Sequence, residues 1–73
     1  MIDYSPLWDT LKKKKISTYQ LIRDYNFSKG TLDSLKQNKN VTLNTIESLC
    51  IILQVPIEDI VKITYTNEKH KKP

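Results

Sequence analysis

The chain has 73 residues, 38% of them apolar, and a net charge of +4. That is half the roughly 150 residues of an ordinary domain, enough for one core and no second one, and a chain this short hides only about 60% of its unfolded surface, so stability is marginal. One Cys excludes an internal disulfide framework and cannot by itself build a zinc site, and the longest apolar run, Leu49 to Leu53, falls far short of the ~20 residues that span a bilayer.

Met1-Ile2-Asp3-Tyr4 shows no basic stretch leading into an apolar one, so no secretory signal is expected and the protein is read as cytoplasmic. Ile2 to Tyr4 alternates as a half-buried strand does. Ser5-Pro6 then reads as a helix start, with Ser at the N-cap and Pro at the first helical position. Leu7, Trp8 and Leu11 form its apolar stripe, and Lys12 to Lys15 close it. Ser17-Thr18 is a second cap, followed by Leu21, Ile22 and Tyr25 at helical spacing. Asn26 tolerates the left-handed conformation that ends helices, which predicts a sharp turn at Asn26-Phe27. Ser28 caps a third, short helix whose inward pair is Leu32 and Leu35, and Gln37 to Asn40 is a polar loop. Thr42 caps a fourth helix with the stripe Leu43, Ile46, Leu49, Cys50 and Leu53. Pro56 opens a fifth helix, with Glu58 and Asp59 in its first turn and Ile57, Ile60 and Val61 inward. Ile63 to Thr66 alternates again. The two ends are expected either to pair as a small sheet or to stay loose until a partner chain orders them. Residues 1–66 thus form one all-α, compact five-helix domain with short terminal strands, and 67–73 a disordered basic tail.

The charge is unevenly placed. Residues 1–15 carry Lys12 to Lys15 against Asp3 and Asp9, and 62–73 carry Lys62, Lys69, Lys71 and Lys72 against Glu68. Between them, Arg23, Lys29, Lys36 and Lys39 are outnumbered by Asp24, Asp33, Glu47, Glu58 and Asp59. The basic ends suit a polyanion. The four-Lys run equally suits a solvated helix end, where cations meet the negative pole of the helix.

The segment STYQLIRDYNFSKGTLDSLKQ, 17–37, carries the chemistry. Two short helices flank a tight turn, and the second is polar on its outer side. In a helix-turn-helix the first helix props the second, which enters the major groove of DNA with its N-terminal residues on base edges. Inward positions must be apolar to fix the angle between the helices, and Leu21, Ile22, Tyr25, Phe27, Leu32 and Leu35 supply them. Outward positions must be polar and short, and Ser28, Lys29, Gly30, Thr31, Asp33, Ser34 and Gln37 supply them.

Residues 6–62, about three quarters of the chain, resemble the small Cro/CI (Xre-type) helix-turn-helix repressors. The carrying pieces are PLWDTLKKKKIS, TYQLIRDYNFSKGTL, SLKQNKNVTLNTIESLCIIL and VPIEDIV, in that order and spacing. The resemblance implies a transcription regulator that binds double-stranded operator DNA as a two-fold dimer. It departs from the family at Ile22, where Ala is frequent, at Asn26, where Gly is frequent, and at Lys36, where an acidic residue tied to the first helix is frequent. By resemblance and helix geometry the base-contact candidates are Ser28, Lys29, Gly30, Asp33, Ser34 and Gln37. Lys29 can donate to guanine O6 and N7, or equally clamp a phosphate. Asp33 repels phosphate but accepts from a cytosine amino group, or is an ordinary helix-surface acid. Gly30 leaves room for close approach, or is a tolerated Gly costing up to ~1 kcal/mol. Phosphate contacts fall to Thr18 and Tyr19 on the supporting helix and to Thr31, Lys39 and Asn40.

Other chemistries find little support. Cys50 sits on an apolar stripe and reads as a small core hydrophobe. His70, the single His, lies in the Lys-rich tail with no second ligand type nearby. No Ser/His/Asp arrangement and no Gly-rich phosphate loop is visible, so no enzyme, cofactor, metal or small-molecule ligand is expected. Trp8 and Phe27 fall on core stripes, which favours packing over base stacking. Ile51 and Ile52 flank the stripe of the fourth helix, so at least one is expected at the surface. That patch, with the fifth helix and the 61–66 segment, is the expected homodimer interface. The competing reading is a protein-interaction module on the same fold, without specific DNA binding.

Overall fold

A computed structural model describes residues 1–65. The tail expected over 67–73, with Lys69, His70, Lys71 and Lys72, lies outside the described residues. The order is β1 (Ile2–Asp3), α1 (Ser5–Lys14), α2 (Thr18–Tyr25), α3 (Lys29–Lys36), α4 (Leu43–Leu53), a 3-10 turn (Ile57–Asp59) and β2 (Lys62–Ile63). Among these residues there are four α-helices, not five. The two ends do pair: β1 and β2 run antiparallel, with Ile2 opposite Ile63 and Asp3 opposite Lys62.

The fifth helix stops at a single 3-10 turn because a residue of α1 intervenes. Its bonds are mainly of the short type, Asp59 N–H to Pro56 and Ile60 N–H to Ile57. The Asp59 carbonyl, which a continuing helix would use, instead accepts from the Thr10 hydroxyl at 2.7 Å. Three residues later the chain enters β2. Ile57 is consequently exposed, while Ile60 is fully buried and Val61 half-buried.

Ser5 is not the cap of α1. Tyr4 holds that position without a side-chain bond, and Ser5 and Pro6 are already helical. The capping task falls to the Asp3 carboxylate, which accepts from the Ser5 amide and hydroxyl. These hydrogen bonds from Ser5, more than the Lys62 ammonium 4.0 Å away, hold the Asp3 carboxyl below its ordinary 3.8. A depressed carboxylate stabilises the fold above its unfolded pKa, and the contribution fades as pH falls through the folded value. Acid unfolding of Asp3→Asn is therefore expected to be less steep below about pH 4 than that of the parent, measured by circular dichroism.

Ser17, Ser28 and Thr42 cap α2, α3 and α4 as expected, each accepting from the amide three residues on. Ser17 and Gln20 form a reciprocal capping box. The core is Tyr4, Leu7, Leu11, Leu21, Leu32, Leu35, Ile46, Leu49, Leu53 and Ile60. Trp8, Ile22, Phe27, Cys50 and Ile52 are half-buried against it. Besides Ile57, two residues expected inward are not: Leu43 is 78% and Tyr25 44% exposed. Leu43 lies two helical turns from half-buried Cys50, on the flank of the stripe rather than its centre, and at the first turn of α4. Tyr25 is the last residue of α2.

Helices α1, α2 and α4 end at Lys15, Asn26 and Gln54 in the left-handed conformation. Asn accepts it readily; Lys and Gln do so at a cost of about 1 kcal/mol. Gln54→Gly is expected to raise stability by roughly 0.5–1 kcal/mol, read as a higher thermal midpoint.

Candidate nucleic-acid interface

The turn between α2 and α3 is three residues long. Asn26 adopts φ 60°, the Phe27 amide bonds back to the Leu21 carbonyl at 3.1 Å, and Ser28 begins the next helix. Leu21 on α2 and Leu32 and Leu35 on α3 are buried together in the core, which fixes α3 across the end of α2. The outer side of α3 is then free: Lys29, Gly30, Asp33, Lys36 and Gln37 are exposed, with Thr31 and Ser34 half-buried. Lys29, Asp33 and Gln37 follow one another at four-residue spacing, so they share one strip of the surface.

A cleft of about 390 Å³ separates α3 from the start of α4. It brings together Ser28, Gly30, Thr31, Ser34 and Asn40, five of the residues picked from the sequence. Thr42 and Thr45, which sequence reasoning passed over as interface residues, add two hydroxyls to its wall. The signal was present in Thr42, whose capping role places it at a helix start. Thr18 and Tyr19 lie outside this cleft, on the first turn of α2. Tyr19 is well exposed, with the Arg23 guanidinium 5.4 Å from its ring centre.

Some candidates are already engaged. The Ser28 hydroxyl accepts from the Thr31 amide at 3.0 Å and donates to the Thr31 hydroxyl at 2.8 Å. It thus holds the start of α3 in shape. Arg23 forms a two-pronged pair with Asp24 at 2.8 and 2.9 Å, which raises the Arg23 pKa and lowers that of Asp24. Both are exposed, so the pair contributes little to stability.

A family model described as the Cro/C1-type HTH DNA-binding domain matches residues 6–65. The chain belongs to this family. In a helix-turn-helix the second helix is the one that enters the major groove, and α3 holds that place in the order of this chain. A solved structure, the transcriptional regulator VanUg in crystal form II, is similar over 84% of this chain and 81% of that one, at 28% identity and a TM-score of 0.77. No curated protein matches the chain.

Burial, with Glu47 and Glu58 adding to it, pushes the Cys50 thiol up, the opposite of the lowered pKa that activates a cysteine. Among the described residues no three His, Cys, Asp or Glu side chains converge as metal ligands, and no helix is long and apolar enough to cross a membrane.

Proposed function

We propose that this Cro/C1-type domain regulates transcription from the cytoplasm by binding double-stranded DNA sequence-specifically as a homodimer, with α3 in the major groove. Lys29, Gly30, Asp33, Ser34 and Gln37 read bases, together with Ser28 at the head of the helix. Thr18, Tyr19, Thr31, Lys39 and Asn40 hold phosphates. The observation that carries this is the three-residue turn that leaves a polar, exposed strip on α3 while Leu32 and Leu35 are buried beneath it. Occupying an operator would block a promoter sterically, which makes repression the simplest outcome.

Gly30 supports close approach. A Cβ built there meets nothing within 4 Å, so packing inside the domain does not demand a glycine. Gly30→Ala is expected to stabilise the domain by about 0.5–1 kcal/mol and yet to weaken DNA binding. Unfolding and filter-binding measurements on the same variant check both halves.

The dimer reading rests on Leu43, Ile51 and Ile57, which are 78%, 67% and 48% exposed on α4 and the turn after it. Sedimentation at tens of micromolar, with and without DNA, tests it; monomer under both conditions would remove it. The second reading is a protein-interaction module. It is favoured by exposed Asp33 on the reading strip, which repels phosphate. Selection from a random duplex pool at about 150 mM salt separates the two. An inverted repeat with half-sites ~34 Å apart supports the regulator. Recovery of nothing above background favours the protein module.

A further inference from the structure

The loop between α3 and α4 is anchored from a distant part of the chain. Asn38 adopts a left-handed φ of 56°, and its side-chain oxygen accepts from the Tyr4 amide at 3.0 Å. The Tyr4 ring is in the core, 2% exposed, and its hydroxyl donates to the Lys39 carbonyl at 2.9 Å. The Lys39 amide in turn donates to the Ser34 carbonyl on α3 at 2.9 Å. Both backbone polar groups of Lys39 are therefore fixed, one to α3 and one to the N-terminal segment. The side chains of Lys39 and Asn40 remain exposed.

We propose that Tyr4 and Asn38 are positioning residues for DNA binding: they hold the 38–40 loop so that Lys39 and Asn40 meet the phosphate backbone at a fixed distance from α3. This rests on the reading of the chain as a DNA binder. Two features make the arrangement more than core packing. The tyrosine ring could fill its place without a hydroxyl, but only the hydroxyl reaches the Lys39 carbonyl. Asn38 is exposed and lies outside the apolar core, so its side chain acts mainly through its hydrogen bond to the Tyr4 amide. A loop ordered before binding loses less conformational entropy on contact than a loose one. The phosphate contacts it makes are sequence-independent, so the clamp acts on affinity and register rather than on base preference.

The test uses the full chain and a mixed-sequence duplex at several salt concentrations. Tyr4→Phe keeps the ring, and Asn38→Gly keeps the left-handed backbone while removing the side-chain acceptor. Circular dichroism checks that each folds, and either one suffices for the test. Each variant is expected to weaken binding roughly threefold to tenfold, and to have no further effect when Lys39 and Asn40 are both already Ala. That non-additivity is what a purely structural role would not give. The Lys39→Ala, Asn40→Ala background itself is expected to flatten the dependence of log K on log salt by about one. Wild-type binding by both clamp variants, or equal losses in both backgrounds, overturns the proposal. So does an unchanged affinity in the Lys39→Ala, Asn40→Ala background, since the loop would then touch no phosphate. Lys29→Ala in the same assay, on a selected duplex, tells whether the reading of α3 stands in that case.

Discussion

Lys29→Ala is expected to lower affinity for a selected operator about 5- to 150-fold, the roughly 1–3 kcal/mol of one good base contact, and to relax preference at one base pair. Lys29 is the first residue of α3. A recognition helix reaches base edges mainly with its N-terminal residues, so this position is the one best placed to enter the groove. The residue is exposed, and its ammonium carries three donors for guanine O6 and N7. Binding measured on the selected site and on single-base variants decides it. A loss of the same size on every sequence, with the salt slope lower by about one, would make Lys29 a phosphate clamp instead. Unchanged affinity would remove it from the interface.

Leu35→Ala carries the largest expected effect on stability. Leu35 is fully buried and fastens α3 to the core from the side opposite its exposed polar strip. Truncating a buried Leu costs about 2–5 kcal/mol, the lost transfer energy plus the cavity left behind. A domain of this length has only roughly 4–10 kcal/mol in all. The thermal midpoint should therefore fall by about 10–30 °C. Leu43→Ala is the matched comparison. The sequence places both leucines inward, but Leu43 is 78% exposed, so its truncation should change stability by no more than about 0.5 kcal/mol. Equal losses from the two variants would mean that α4 sits on the core in a different rotation.

Local chemistry was legible residue by residue. Ser17, Ser28 and Thr42 announce the starts of three helices because short polar side chains satisfy the free amides there. Asn26 announces the turn because it accepts a positive φ. Leu21, Leu32 and Leu35 mark the faces that come together. Ser28, Gly30, Thr31, Ser34 and Asn40 could be picked from the α3 segment and its loop, and the fold gathers them at one cleft.

What the sequence alone determined is thus the order of the helices, the helix-turn-helix at their centre and the polarity of its outer strip. These follow from propensity, capping and periodicity, all of which act within a few residues. The tertiary structure decided the rest, because those outcomes depend on neighbours remote in sequence. Thr10 takes the Asp59 carbonyl and stops a fifth helix at a single turn. The pairing of β1 with β2 makes Asp3 and Lys62 neighbours. The packing of α4 leaves Leu43 at the surface while burying Ile46 one turn on. Tyr4, which reads as a strand residue, becomes the core anchor of a loop more than thirty positions away, because its ring is buried and its hydroxyl needs a partner.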